Sequence, residues 1–268
     1  MIRPGEIQQR AYKYGVRDQQ IEKDYILSWI LYGITAHEKL SNTLAFKGGT
    51  LLKKVYFPDY RFSEDLDFTL LDEAISKATI FTWFEEMFKK VREESNIPLS
   101  IANDHDRQDG GFNFYIQFTG PLGGSNENKM IKVDISRSEI MAFQPLIKKA
   151  IIPYPDLPPY SILCYPLEEA FIEKSRSILQ RTAARDLYDL WYLIENEEMD
   201  LNDYLSEYNA KCNQKGVDGK NLIGVFEEKV PIFKAHWTKV LKDQIHELPD
   251  FDQVVREVRR ALKRTDFV

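Results

Sequence analysis

Two aspartates, two residues apart, are the residues best suited to chemistry in this chain. Between Arg61 and Leu70 apolar and polar residues alternate, so Asp65 and Asp67 are expected on the same face of a strand. Their side chains would lie about 7 Å apart, close enough to share divalent cations. A bound pair of Mg²⁺ or Mn²⁺ ions can bridge the phosphates of an NTP and activate an attacking hydroxyl. A solvated strand face also produces this pattern, so the Asp-x-Asp pair alone does not decide the function.

A glycine turn lies upstream of this strand. Lys47 ends a short apolar strand, Gly48 and Gly49 follow, and Thr50 is predicted to open a helix. The glycines would let a phosphate approach the backbone closely, and the start of a helix offers free N–H groups. An ordinary tight turn is the alternative. A phosphate-binding turn next to a carboxylate pair indicates nucleotide chemistry better than either feature does alone.

A third carboxylate lies on another predicted strand, Met130–Ser136. Apolar residues alternate there with Lys132, Asp134 and Ser136. Asp134 therefore fits a third metal ligand or a general base on a neighbouring strand. It fits equally well as part of a polar outer face.

A lysine in the second half of the chain occupies an unusual position. Lys174 falls inside the apolar stripe of a predicted helix, and Arg181 and Arg185 would share its azimuth if that helix continued. Cations on a buried side need anionic partners. Those partners are either a bound triphosphate or the carboxylates of Asp186 and Asp189, which would form a salt-bridge network.

The elements around these residues predict an α+β domain followed by a helical one. Beyond the residues already described, the patterns predict helices at Asp18–Leu40 and Ser76–Glu94, strands at Ile97–Ile101 and Phe112–Phe118, a proline-rich connector at Ile151–Pro166, and only helices after Leu167. We therefore predict domains at residues 1–155 and 156–268.

Composition narrows the class of protein. The 268 residues carry a net charge of −6, so nucleic-acid binding would need a local basic patch. Cys164 and Cys212 are far apart and the four histidines are scattered, so no zinc site is predicted. No apolar run is long enough to span a membrane, and we expect a cytoplasmic protein.

Several of these segments together resemble one family. The matching segments are Glu22-Lys23-Asp24-Tyr25, Gly48-Gly49-Thr50, Arg61-Phe62-Ser63-x-Asp65-Leu66-Asp67-Phe68, and Glu168-Glu169 through Lys174, Arg181 and Arg185-Asp186-x-x-Asp189-Leu190. Their content and order resemble the AbiEii/AbiGii toxins of abortive-infection and toxin–antitoxin systems. These toxins belong to the DNA polymerase β-like nucleotidyltransferase superfamily.

The resemblance implies a fold and a set of roles. It implies a polymerase β-like nucleotidyltransferase domain, with a mixed sheet flanked by helices, and a C-terminal helical bundle. The implied roles are metal binding by Asp65 and Asp67, with Asp134 a weaker match; NTP-phosphate contact by Lys174; catalysis by Asp186, shared with or replaced by Asp189; and nucleotide binding by Gly48, Gly49, Thr50, Ser63 and Arg185. It also implies an NTP substrate, a cognate antitoxin and, for some members, an RNA acceptor such as the 3′ end of tRNA.

Other functions use the same residues. Asp65-Leu66-Asp67-Phe68-Thr69 also fits the Asp-x-Asp-x-Thr motif of haloacid-dehalogenase-type phosphatases, but the polar residues before it and the glycine turn do not suit that class. A non-catalytic nucleotide- or RNA-binding module is possible, as is a kinase or nucleotidylating enzyme acting on a protein hydroxyl. The basic C-terminal helix, Val254–Arg264, fits RNA phosphates or, as we favour, a solvated face of the bundle.

Overall fold

The described residues form two compact units. The computed structural model describes residues 1–124, 129–137 and 139–267. The first unit comprises Met1–Glu139 and Pro145–Cys164, and the second comprises Ile140–Gln144 and Tyr165–Val268. The chain thus enters the second unit briefly, returns to the first, and leaves it again after Cys164. Residues 156–164, placed in the helical domain by the sequence analysis, belong here to the first unit.

Within the described residues, seven strands form one mixed sheet in the first unit. The strands are β1 (Leu44–Lys47), β2 (Asp65–Leu70), β3 (Leu99–Asp106), β4 (Phe112–Phe118), β5 (Met130–Ser136), β6 (Leu146–Lys149) and β7 (Ser161–Cys164). Their order is β3-β4-β5-β2-β1-β7-β6, with β2–β5 and β1–β7 parallel and the other pairs antiparallel. The carboxylate strand β2 therefore lies in the middle of the sheet.

Helices flank this sheet. The helices of the first unit are α1 (Pro4–Tyr14), α2 (Asp18–Ala36), α3 (Glu38–Thr43), α4 (Gly48–Leu51) and α5 (Lys77–Ser95). Helix α4 continues as one turn of π-helix, Leu52–Tyr56, a distortion that is frequent at functional sites. Every second residue of β4 is buried, and Phe114 packs against Phe84 of α5 with ring centroids 5.0 Å apart. The apolar face of the sheet is thus the core.

The boundaries of several elements differ from the predicted ones. Strand β2 begins at Asp65 instead of Arg61, and the helix after β1 begins at Gly48 instead of Thr50. Strand β3 begins at Leu99 and continues to Asp106, beyond the predicted Ile101. The predicted helix Asp18–Leu40 is divided at His37, whose ring accepts a hydrogen bond from Leu40 N at the start of α3.

Three elements were not predicted. Helix α1 was not identified, nor was strand β6. The proline-rich connector contains β7, which pairs with β1 on one side and β6 on the other. Strands this short show little alternation, and neither β6 nor β7 is followed by a glycine turn like the one that marks the end of β1.

The second unit contains no strand among its described residues, as predicted. Its α-helices are α6 (Leu167–Gln180), α7 (Ala184–Glu195), α8 (Leu205–Gln214), α9 (Leu222–Leu241) and α10 (Phe251–Lys263), with short 3₁₀ turns at Leu201–Tyr204 and Gly219–Asn221. Helix α10 buries its apolar stripe, while Arg259 pairs with Glu227 and Arg260 with Glu195. The α+β fold with a C-terminal helical region is therefore confirmed.

A buried carboxylate holds the short segment Ile140–Gln144 in the second unit. Oε2 of Glu169 accepts hydrogen bonds from the backbone N–H groups of Ala142 and Phe143, each at 2.9 Å. Oε1 of Glu169 lies 2.7 Å from Nζ of Lys211, and both side chains are almost fully buried. Each buried charge thus has a partner, which its burial requires.

Candidate active site

The glycine turn lies against the second aspartate of β2. Gly48 has a φ of +82°, a backbone conformation that L side chains rarely adopt. A Cβ atom added to it would lie 2.2 Å from Oδ2 of Asp67. A glycine is therefore required at position 48 for two reasons: the backbone angle and the close approach of the Asp67 carboxylate.

Thr50 connects the turn to the first aspartate. Its hydroxyl donates a hydrogen bond to the backbone carbonyl of Asp65, and the side chain is buried. Thr50, which was predicted to contact a phosphate, thus fixes the start of β2 relative to α4. Ser63, predicted to contact the nucleotide, is buried in the irregular segment before β2.

Asp65 and Asp67 share one half-buried strand face, as the alternation predicts. Leu66 and Phe68 between and beyond them are fully buried on the other face. In the register of the sheet, Asp67 lies between Lys47 of β1 and Asp134 of β5. Cross-strand neighbours share a face, so these three side chains form one row.

Lys132 lies opposite Asp65 in a second row. Its ammonium is hydrogen-bonded to Asp134, and Arg107 Nη1 lies 3.6 Å from the other oxygen of that carboxylate. Burial acts to lower the pKa of Lys132, but the hydrogen bond to Asp134 and the charges of Asp134 and Asp65 outweigh it and raise that pKa. Asp134 is thus paired with two cations here.

The two aspartates of β2 provide some of the oxygen ligands that a divalent cation needs. Asp65 and Asp67 place hard oxygen donors on one accessible strand face beside a glycine turn, which is the chemistry that Mg²⁺ prefers. In residues 1–124, 129–137 and 139–267, no group of three or more His, Cys, Asp or Glu side chains converges as a metal site. Two carboxylates fit the ion, and Asp134 as a third ligand stays a prediction.

Lys47, predicted only as the end of a strand, lies beside the candidate carboxylates. It is buried, and its Nζ lies 3.6 Å from Oε2 of Glu139, whose side chain is 5% exposed. The signal for it was a lysine directly before the glycine pair. Its register with Asp67 depends on strand pairing, which the sequence pattern does not specify.

In the second unit, Lys174 lies among carboxylates. Its Nζ is 2.9 Å from Oδ1 of Asp186 and 2.7 Å from Oδ2 of Asp189. Arg181 Nη2 donates to Oδ1 of Asp186 at 2.9 Å. Burial acts to raise the pKa of Asp186, but the charges of Lys174 and Arg181 outweigh it and hold that pKa below its usual value. The salt-bridge alternative therefore describes the structure.

Arg181 and Arg185 would share the azimuth of Lys174 only if the helix continued, and it does not. Helix α6 ends at Gln180, Arg181 is extended with a φ of −140°, and α7 begins at Ala184. The break turns Arg181 back toward Asp186. Arg185 is half-buried on α7.

Comparisons with known proteins identify one matching family and several similar folds. A family profile described as nucleotidyl transferase AbiEii toxin, type IV TA system, matches residues 29–257. The fold is similar to MenT4, a nucleotidyltransferase toxin from Mycobacterium tuberculosis H37Rv, with a TM-score of 0.62, 18% identity, and coverage of 99% of this chain and 91% of that one. It is also similar to JHP933 from Helicobacter pylori, with a TM-score of 0.59, 15% identity, and coverage of 92% of both chains. No curated protein matches significantly in sequence.

The family profile spans both the carboxylate strand and the Lys174 cluster, and it leaves the phosphatase alternative without support. None of the described helices is long and apolar enough to cross a membrane. Since the match extends over most of its residues, the chain belongs to the nucleotidyl transferase AbiEii toxin family of type IV toxin–antitoxin systems.

Proposed function

We propose that this chain uses Mg²⁺ or Mn²⁺ to transfer NMP from an NTP to a hydroxyl of RNA, with the 3′ end of tRNA as the preferred acceptor. The acceptor hydroxyl attacks the α-phosphate in line, the bond from that phosphate to the bridging oxygen breaks, and pyrophosphate leaves. The observation that carries the proposal is the shared face of Asp65 and Asp67 against the Gly48 turn.

In this proposal the first unit holds the metal and the triphosphate. Asp65 and Asp67 bind the cation, and Asp134 is the candidate third ligand. The bound cation neutralises phosphate charge and lowers the pKa of the attacking hydroxyl. Gly48 and Gly49 let the triphosphate approach their backbone, while Thr50 and Ser63 orient this part of the site.

The second unit supplies cationic and acidic groups. Lys174 and Arg185 contact NTP phosphates in our proposal. Asp186 holds Lys174 through the observed ion pair, and Asp189 shares that task from its fully buried position. Positioning and electrostatics contribute most of the rate enhancement in such reactions.

Labelled nucleotides test the proposal. Purified chain is incubated with total RNA, Mg²⁺ and each NTP labelled at the α position, in parallel with Asp67→Asn and the control Asp104→Asn. Asp104 is an aspartate of the same unit whose ion pair with Lys77 is partly exposed. We expect label on RNA, a loss of at least about a hundredfold in Asp67→Asn, and wild-type activity in the control.

Other outcomes identify the remaining functions. Label from the γ position on protein would indicate a kinase, and α-label on protein would indicate nucleotidylation of a protein hydroxyl. Binding without any transfer would indicate a nucleotide- or RNA-binding module. Activity that persists after chelation of divalent cations would contradict the metal assignment.

The family also implies a cognate antitoxin, and we propose that both partners act in the cytoplasm. Co-expression provides the test. The chain alone should arrest growth, Asp67→Asn should not, and the protein encoded beside this chain should restore growth.

A further inference from the structure

Three consecutive charged residues of α2 contact three different segments around the active site. Successive residues of a helix point about 100° apart, so Glu22, Lys23 and Asp24 face three directions. Glu22 and Asp24 are 1% and 2% exposed. Buried carboxylates require partners, and their partners are all far away in sequence.

Lys23 reaches the residue before the catalytic strand. Its Nζ lies 2.7 Å from Oε2 of Glu64, and Glu64 directly precedes Asp65. The two side chains are 24% and 36% exposed. An ion pair this accessible contributes roughly 0–1 kcal/mol to stability, so folding does not depend on it.

Asp24 holds the π-helical turn that follows the glycine turn. Its Oδ2 lies 2.7 Å from Nζ of Lys54 and accepts a hydrogen bond of 2.8 Å from the hydroxyl of Tyr154. Lys54 also donates to Ser28 Oγ at 2.8 Å. Burial acts to raise the pKa of Asp24, but the charges of Lys54 and Lys53 outweigh it, so that pKa is lowered and the carboxylate stays charged.

The neighbouring Lys53 extends this hold to the segment before β2. Its ammonium donates to the carbonyl oxygens of Pro58 at 3.3 Å and Tyr60 at 2.9 Å. Residues 57–64 belong to no strand, and these side-chain contacts connect the segment to the π-helical turn.

Glu22 contacts two described residues between β4 and β5. Its Oε1 accepts a hydrogen bond of 2.8 Å from Leu122 N, and its Oε2 lies 3.0 Å from Nζ of Lys129. Lys129 directly precedes β5, the strand that carries Lys132 and Asp134 opposite the catalytic aspartates.

We propose that Glu22, Lys23 and Asp24 form a brace that sets the position of the catalytic carboxylates, with Lys23 acting on Asp65 through Glu64. The inference rests on the proposed function of Asp65 and Asp67. Catalytic groups must be held within about 0.5 Å of their productive positions, whereas folding tolerates larger shifts. Because the Lys23–Glu64 ion pair is accessible, its loss should affect turnover far more than stability.

Charge reversal tests the link through Lys23. The variants are Lys23→Glu, Glu64→Lys, the double variant, and the control Lys77→Glu, whose partly exposed ion pairs in the same unit do not involve β2. We expect each of the two single variants to lower kcat by about tenfold to about a hundredfold, since small displacements of catalytic groups cost that much. The KM for NTP should change little, because the loss falls on the transition state.

The double variant should recover most of the lost kcat, and the melting temperatures of all four variants should stay close to that of the wild type. Single variants with wild-type kcat, or a double variant as slow as the singles, would overturn the brace. If the control Lys77→Glu lost kcat and melting temperature to the same extent as the single variants, the cause would be a general effect of charge reversal, and the brace would be rejected.

Hydrogen exchange makes the result independent of catalysis. Exchange of the backbone amides in residues 57–67, followed by mass spectrometry, should be faster in both single variants than in the wild type, and slow again in the double variant. If the wild type transfers no nucleotide, the proposed function fails, yet this measurement still decides the brace. Unchanged exchange in the single variants would reject it.

Discussion

Replacing Gly48 with alanine should separate stability from catalysis. At a φ of +82° a residue with a side chain costs roughly 1–2 kcal/mol more than glycine. The new Cβ would also lie 2.2 Å from Oδ2 of Asp67 and 2.9 Å from its Cγ. Ordinary carbon–oxygen contacts are more than 3 Å, so the carboxylate has to move by about 1 Å, a displacement that can cost about a hundredfold in rate.

Gly110 provides a matched control. Its φ is +79°, and a Cβ added to it meets no atom within 4 Å. Gly110→Ala therefore has the same backbone strain without the clash. Both variants should lose about 1–2 kcal/mol of unfolding free energy, measured by urea denaturation. Only Gly48→Ala should lose about a hundredfold in nucleotide transfer. Equal transfer rates in the two variants would refute the role given to the approach of Gly48 to Asp67.

Three further outcomes are expected. Burial lowers the pKa of Lys53 from 10.5 to about 8, so as the pH rises the folded chain loses this proton before the unfolded chain does. The unfolding free energy of the wild type, measured by urea denaturation relative to Lys53→Met, should therefore rise by about 2 kcal/mol from pH 8 to pH 10. A difference that does not change with pH would contradict the burial of the charge. Asp189→Ala leaves Lys174 with one fewer buried partner and should cost about 3–5 kcal/mol in the same assay, more than the exposed-pair control Asp252→Ala. Arg256→Glu on the exposed face of α10 should leave RNA affinity unchanged in fluorescence anisotropy, whereas a clear loss would favour an RNA-binding helix.

Local patterns predicted the parts of the site that depend on a single element. Alternation placed Asp65 and Asp67 on one strand face, and the 3.6-residue period placed Lys174 on a buried side. Both periods are properties of the backbone, so they can be read without knowledge of neighbouring segments.

The features that were missed depend on particular side-chain contacts and strand pairings, which a periodic pattern does not contain. Strand β2 begins late because side chains hold the residues before Asp65: Lys53 donates to the carbonyl of Tyr60, and Lys23 of α2 pairs with Glu64. The break after Gln180 contains neither Gly nor Pro, and it forms where Arg181 reaches the buried Asp186. Lys47 lies beside Asp67 because β1 pairs with β2, and no local pattern specifies that pairing.

The contacts of residues 140–144 determine where this chain can be divided into fragments. A fragment that stops at Cys164 keeps Ala142 and Phe143 but lacks Glu169, the acceptor of their amide hydrogens. A fragment that starts at Tyr165 keeps the Glu169 carboxylate but deprives it of both donors. Cutting at the apparent boundary therefore damages both pieces, and domain-swapped or split versions of this toxin should carry residues 140–144 together with α6.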